Sequence, residues 1–304
     1  MSIFNYLVSK TIMHVPGPIV GYFAKGYIAG SKLEDAVRVS EDLNRQGVMT
    51  TIDILGEFIK TRDEAIFFKE QCLEILKAIR EGEIEGNLSL KPTQMGLLLD
   101  REFAFENIRE IVSFAHEFDS FVRIDMEDIE CTDATIEFYD RLRDEFPKNV
   151  GVVLQSYLRR TAADIESLAD KPMHYRLCKG IYNEPRTAAY KDPYIINRNF
   201  TRCLEKMFQH GAYVGIATHD EKLVFEAERL IEKYGLKPDQ YEFQMLLGVD
   251  EPLRRIILAG GHRLRVYVPF GEAWLPYSKR RLKENPSIAR HALLQMLRGN
   301  RGIS

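Results

Sequence analysis

The chain is short of nearly every feature that marks a protein by motif alone. Its four cysteines, Cys72, Cys131, Cys178 and Cys203, form no C-x-x-C pair. That excludes a redox dithiol or a disulfide framework and, with no signal peptide ahead of them, predicts reduced thiols in a cytoplasmic protein. Charge of one sign is not in excess: 42 Lys and Arg stand against 45 Asp and Glu. A net charge of −3 excludes the broad positive field of a duplex-binding module. The apolar stretch between Lys10 and Lys25 has only 14 residues and is broken by His14, Pro16 and Pro18, too short to cross a bilayer. H-E-x-x-H and G-x-S-x-G are missing, and no acidic or His/Cys cluster argues for a metal site. G-x-G-x-x-G and G-x-x-x-x-G-K-[ST] are missing too, which removes the common nucleotide-binding loops of open α/β sheets.

What is present is an architectural rhythm. Eight β-branched or apolar runs occur near Met49–Leu55, Asn87–Leu90, Phe121–Asp125, Val150–Gln155, His174–Lys179, Ala212–Thr218, Tyr241–Leu246 and Leu264–Val268. Between them lie longer segments of helical period. Ser31 to Glu34 and Thr61 to Glu64 have capping-box spacing, Thr161 to Asp164 is a looser version, and Gly47 stands where the first helix should stop. Strand and helix in alternation force parallel pairing through right-handed crossovers. Eight such units predict a single (β/α)8 TIM-like barrel, with an open doubly wound sheet as the rival. No Pro/Gly/Ser-rich linker divides the 304 residues. One domain is therefore expected, with a helical N-terminal segment over 1–47 and the barrel over 48–304.

Polar residues gather at the C-terminal ends of the runs: Asp53 with Glu57, Lys91, Asp125, Gln155, Lys179, Thr218 with His219, and Gln244. In a parallel barrel these ends share one face, where barrel enzymes assemble their sites. Lys91 can hold a carboxylate, form a Schiff base or snorkel from the rim. Asp125 opens an acidic stretch where a hard cation is conceivable but solvated charges in a βα loop are the commoner reading. Strand alternation sends Arg176 inward, where a guanidinium needs either an anionic ligand or a buried partner such as Asp125. Gly180 beside Lys179 admits close approach of a ligand to the backbone. His219 is an acid, a cofactor contact or a structural hydrogen-bonding group.

The sharpest local pattern follows Pro276. Tyr277, Arg280, Arg281 and Glu284 share one face if a helix begins there. Two guanidinium forks beside a phenol suit a bidentate carboxylate clamp, and a basic solvated face is the plain alternative. Gly261 to Ser304 holds nine Lys and Arg against Glu272 and Glu284, so this end carries +7. It can meet an anionic substrate, an anionic lipid surface or an acidic face of its own fold.

These residues together resemble the monofunctional bacterial proline dehydrogenases. The resemblance runs from about Thr51 to Asn285. It rests on ordered motifs: Asp53-Ile-Leu-Gly-Glu57, Leu88-Ser-Leu-Lys91, Arg123-Ile-Asp125, Leu154-Gln155, Arg176-Leu-Cys-Lys179-Gly180, Ala217-Thr-His219, Glu242-Phe-Gln244-Met-Leu246 and Tyr277-Ser-Lys-Arg280-Arg281.

The resemblance implies a distorted barrel with N-terminal helices and a C-terminal helix over the site, binding FAD without a Rossmann domain. It implies oxidation of L-proline to Δ1-pyrroline-5-carboxylate, with electrons passed to a membrane quinone and a peripheral place on the inner face of the membrane. By the same resemblance, Lys91, Arg280 and Arg281 bind the proline carboxylate while Tyr277 and Leu246 wall the ring. Asp125 shapes the site and Arg176 donates toward the flavin N5 region. Met126, Gln155, Lys179, Gly180, Ile181, Thr218 and His219 contact the cofactor, and Glu57 pairs with Arg280 as a gate. Tyr267 and Glu284 are further contributors. The family commonly has Ala where Ile181 stands here. A chain of this length has no room for the aldehyde dehydrogenase of bifunctional relatives, so a separate pyrroline-5-carboxylate dehydrogenase is expected downstream. Two rivals remain: a cofactor-free lyase or aldolase using Lys91 or Lys179 as a Schiff base, and an idle carboxylate-binding regulatory barrel.

Overall fold

The computed structural model describes residues 26–56, 59–275 and 277–279. Glu57, Pro276, Arg280, Arg281, Glu284, the apolar N-terminal stretch and most of the basic C-terminal segment lie outside the described residues. All eight expected runs are strands: β1 (Met49–Ile54), β2 (Gly86–Leu90), β3 (Val122–Ile124), β4 (Val150–Gln155), β5 (His174–Cys178), β6 (Tyr213–Ala217), β7 (Tyr241–Leu246) and β8 (Leu264–Phe270). They pair in sequence order and all in parallel, and β1 closes on β8, so the barrel is complete and the open sheet is excluded.

Helices occupy the crossovers: α1 (Leu33–Asn44) precedes β1, and α2 (Arg62–Glu81), α3 (Arg101–His116), α4 (Ile129–Glu145), α5 (Thr161–Ser167), α6 (Pro193–Gln209), α7 (Glu221–Tyr234) and α8 (Glu251–Ala259) follow β1 to β7. Residues 274–275 and 277–279 are also helical, so the helix expected to begin at Pro276 has already started.

The ends of the helices show where local spacing decides and where it does not. Thr61 caps α2 as its box predicts: Glu64 N–H donates to Thr61 Oγ1 at 3.2 Å and Thr61 N–H donates to Glu64 Oε2 at 3.1 Å. The expected box at Ser31 is displaced by one residue. α1 starts at Leu33, and the Asp35 carboxylate accepts from the Lys32 N–H at 3.3 Å. Thr161 is no cap either. Its buried hydroxyl donates to the Gln155 carbonyl at 2.6 Å and so ties the turn after β4 rather than the start of α5. Gly47, just past the end of α1, takes φ +73° and turns the chain into β1, as expected.

Alternation along the strands separates two environments. The outward positions, such as Ile52, Leu88, Leu90, Ile124, Val152, Leu177, Ile216, Phe243 and Val266, are buried against the helices in one continuous apolar core. Many inward positions are polar, with Val153 an apolar exception opposite Arg176, which is unusual for a fold whose lumen is ordinarily filled by Val, Ile and Leu. Contacts between strands that are not neighbours prove the inward direction. Arg123 on β3 donates to the His174 carbonyl on β5 at 2.8 Å, and Arg176 on β5 lies 3.4 Å from Ser89 Oγ on β2.

Candidate active site

The C-terminal mouth of the barrel collects a connected set of charges. Asp125, just past β3, is its hub. Its Oδ1 accepts from Arg176 Nη1 at 2.8 Å and from Ser89 Oγ at 2.6 Å, and its Oδ2 accepts from the Tyr267 hydroxyl at 3.2 Å. Lys91, just past β2, donates to Asp53 Oδ1 at 2.7 Å and stands 3.9 Å from Asp125 Oδ2. Arg176 completes its own fork by donating from Nε to Gln244 Oε1 at 2.6 Å, and its guanidinium lies 5.4 Å from the Tyr267 ring centre. Strand ends far apart in sequence, on β1, β2, β3, β5, β7 and β8, thus meet in one place.

Removing so many charges from water costs several kcal/mol for each ion, and an apolar filling would stabilise the barrel at least as well. The polar lumen is therefore a candidate site rather than a stabilising device. Counted among the described residues, Asp53, Asp125 and Glu242 in the lumen and the buried Glu127 beside Lys91 face Lys91, Arg123, Arg176 and Arg265, so carboxylates and cations are equal in number. Burial works against the Lys91 ammonium, but Asp53 and Asp125 outweigh it and push its pKa above the ordinary lysine value. A Schiff-base lysine must be deprotonated to attack, so the aldolase reading loses its best nucleophile. Burial, reinforced by Asp125 and Asp53, holds the Tyr267 phenol neutral and therefore a donor.

The buried polar atoms at this mouth with no hydrogen-bond partner among the described residues include Arg176 Nη2, a donor, and the acceptors Gln155 Oε1 and Asp53 Oδ2. The Gln155 amide is fixed from its other side, where Nε2 donates to the Met126 carbonyl at 3.2 Å. Unpaired buried groups of this kind are costly in a finished core and are normal where a ligand completes them.

The loop after β5 offers a cradle. Gly180 takes φ +101°, and a Cβ there would lie 2.1 Å from the Tyr157 ring. Gly180→Ala is accordingly expected to destabilise the protein by about 1–3 kcal/mol through strain and overlap. A thermal melt matching the parent's would refute that. Lys179 Nζ pairs with Asp220 Oδ2 at 2.7 Å, and Asn197 Nδ2 joins the same oxygen at 2.8 Å.

The remaining candidates divide. Met126, Thr218 and Leu246 lie at the same mouth, and Ile181 is exposed on the rim. Thr218 Oγ1 accepts from the Asp220 N–H at 3.0 Å. His219 uses Nε2 to accept from the Leu246 N–H at 2.8 Å, which fixes the turn after β6 against β7. Tyr277 packs with Tyr27, Ile28 and Leu55 in an apolar cluster beside the end of β1. Asp53, Ser89 and Gln244 belong to the connected set but were not singled out as site residues. Each occupies an inward strand position, Asp53 opposite Ser89, Ser89 opposite Arg123 and Gln244 opposite Arg265, so alternation was a signal for all three and a place at a strand end a second one for Asp53 and Gln244. Asn197, on α6, carried no such signal.

Comparison with known proteins places this geometry in a family. The family model described as proline dehydrogenase matches residues 36–292. The chain is 36% identical over 275 residues to proline dehydrogenase 1 of Bacillus subtilis strain 168, covering 90% of this chain and 91% of that one. It is 35% identical over 280 residues to the proline dehydrogenase of Deinococcus radiodurans, covering 91% and 90%. Among solved structures, proline utilization A from Bdellovibrio bacteriovorus, inactivated by N-propargylglycine, superposes with a TM-score of 0.81 at 25% identity. The match covers 86% of this chain and 32% of that much longer protein.

Proposed function

The chain belongs to the proline dehydrogenase family, and we propose that it oxidises L-proline to Δ1-pyrroline-5-carboxylate with FAD as its resident acceptor and a membrane quinone as its final one. It is an oxidoreductase, and proline oxidation is its reaction. The observation that carries the cofactor reading is the pair of orphan atoms at the mouth, Arg176 Nη2 and Gln155 Oε1. A flavin edge presents acceptors and an N–H donor side by side, which is the complement these two atoms lack.

In this reading Met126, Gln155, Lys179, Gly180, Ile181, Thr218 and His219 hold the cofactor, and Arg176 faces it. The flavin supplies the two-electron acceptor for the hydride leaving the ring carbon beside nitrogen. The protein's part is orientation. Lys91, Arg280 and Arg281 fix the proline carboxylate, Leu246 and Tyr277 wall the ring, and Glu57 closes across Arg280. Fixing one end of a small rigid substrate sets the reacting carbon, and such positioning contributes much of a barrier reduction. Asp125 offsets Arg176 and Lys91, so the positive charge that the substrate carboxylate meets stays modest.

Arg280→Ala and Arg281→Ala are each expected to weaken proline binding by about ten- to a hundredfold, the worth of a charge-assisted hydrogen bond. Unchanged proline affinity in both would remove the clamp.

The reading as a whole is tested by the visible spectrum of the purified protein under anaerobic conditions, before and after L-proline. Flavin bands that bleach are the expected result. Bands that persist would mean another substrate, and no bands after reconstitution with FAD would return the Schiff-base barrel. For the acceptor, no helix among the described residues is long and apolar enough to cross a membrane, so the quinone would be met at the surface, helped by the basic segment from Gly261 onward. Turnover with a membrane quinone that ignores salt and lipid charge would refute that role. The product would then pass to a pyrroline-5-carboxylate dehydrogenase activity.

A further inference from the structure

Arg176 is held by two partners, and the second has a support of its own that reaches to the opposite end of the barrel. Nη1 meets Asp125 and Nε meets Gln244, so the plane of the fork is set and Nη2 is the nitrogen left over. The Gln244 amide is nearly symmetric in shape but not in chemistry. A guanidinium only donates, so the amide oxygen must face Arg176. What keeps it there is Glu242, two residues earlier on the same face of β7, whose Oε1 accepts from Gln244 Nε2 at 2.6 Å.

Glu242 is itself immobilised. Arg265 on β8 donates to it from Nε at 2.7 Å and from Nη2 at 3.0 Å, and the Tyr213 hydroxyl on β6 donates at 2.8 Å. Burial would raise this carboxyl, but Arg265 and the hydrogen bonds from Gln244 and Tyr213 outweigh it and hold it down to about 2. It therefore accepts, and never donates, at any working pH. The neighbouring strand is shaped for the same purpose. A Cβ at Gly215 would lie 2.3 Å from Gln244 Nε2, so only glycine lets the amide lie flat against β6.

We infer that Gln244, oriented by Glu242, is a positioning residue that aims Arg176 Nη2 at the bound flavin. The inference rests on the reading of Arg176 as the flavin-facing donor, and it gives the Glu242-Phe-Gln244 motif a task that contact with substrate does not explain. Each link has one chemically permitted direction: Arg265 donates to Glu242, Glu242 accepts from Gln244, and Gln244 accepts from Arg176. A misplacement of about 1 Å at a donor that acts on the reacting centre costs up to about a hundredfold in rate.

The test uses the flavin-loaded enzyme and four readouts: the rate of flavin reduction by L-proline, the flavin reduction potential measured without substrate, the proline dissociation constant and the thermal melt. Gln244→Leu removes the acceptor at similar volume. It is expected to slow reduction about tenfold and lower the potential, with proline affinity within about twofold. Gln244→Glu sets two carboxylates against each other and is expected to slow reduction comparably. Combining it with Glu242→Gln removes the repulsion between the two carboxylates, at the cost of the Arg265 Nε bond to the same atom, and the rate is expected to recover at least about threefold from that of Gln244→Glu. A purely structural role would lower the melt without moving the potential, and the exchange would rescue nothing; either result overturns the inference. Arg176→Lys separates the two levels. If it too leaves rate and potential unchanged, the reading of Arg176 has failed, whereas a slowed Arg176→Lys beside unaffected Gln244 variants refutes only the role of Gln244.

Discussion

Replacing Arg176 with alanine is expected to slow flavin reduction by L-proline about a hundred- to a thousandfold, the range seen when a preorganised donor to a developing charge is deleted. The geometry explains why the loss should fall on the chemical step. Arg176 commits Nε to Gln244 and Nη1 to Asp125 and keeps Nη2 unpaired at the mouth, so its one uncommitted group is the one a ligand must meet. The carboxylate clamp is assigned to other residues, so proline affinity should change far less than rate. Stopped-flow reduction under anaerobic conditions separates the two. A variant that binds flavin with an unaltered spectrum and is reduced within a fewfold of the parent rate would show that Arg176 is a structural ion-pair partner of Asp125 and nothing more.

Much of this site was legible because a parallel barrel converts sequence spacing into position. The eight runs could be found by their apolar outward residues, and the residues at their ends then had to share a face. Alternation also predicted that Arg176 points inward and requires a partner, and it left open whether that partner is Asp125 or a ligand. The structure supplies Asp125, which takes Nη1, and leaves Nη2 without a hydrogen-bond partner among the described residues.

What spacing could not give is competition among near neighbours. Lys91 was read as a carboxylate ligand, and it is, but for Asp53 of its own chain at 2.7 Å, so a substrate carboxylate would have to share that ammonium. Ser31 lost its capping role because Asp35 reaches the Lys32 N–H first, and Thr161 lost its own because Gln155 offered a buried carbonyl. His219 was left between three roles, and a single backbone N–H from β7 decides where its Nε2 points. In each case the deciding partner is a choice between atoms a few ångströms apart, which no pattern of residue types encodes.

Asp125 should separate stability from catalysis more sharply than any other position. Its two oxygens serve Arg176, Ser89 and Tyr267, with Lys91 at 3.9 Å, and it is the only carboxylate among the described residues within reach of both cations. Asp125→Ala abandons a buried guanidinium and is expected to cost about 3–5 kcal/mol of stability together with most of the activity. Asp125→Asn is the informative variant. Asparagine has the same shape, its oxygen can still accept from Arg176 and from Ser89, and the Tyr267 hydroxyl can turn to accept from its NH₂, so most hydrogen bonds survive. The charge does not. The site gains one positive charge, and Arg176 is no longer offset where it would face the flavin. The melting temperature should therefore return most of the way to the parent's while flavin reduction stays slower by about ten- to a hundredfold. Recovery of both together would mean that Asp125 acts only by shape, and loss of both would mean that its charge is needed to hold the barrel shut around Arg176 and Lys91.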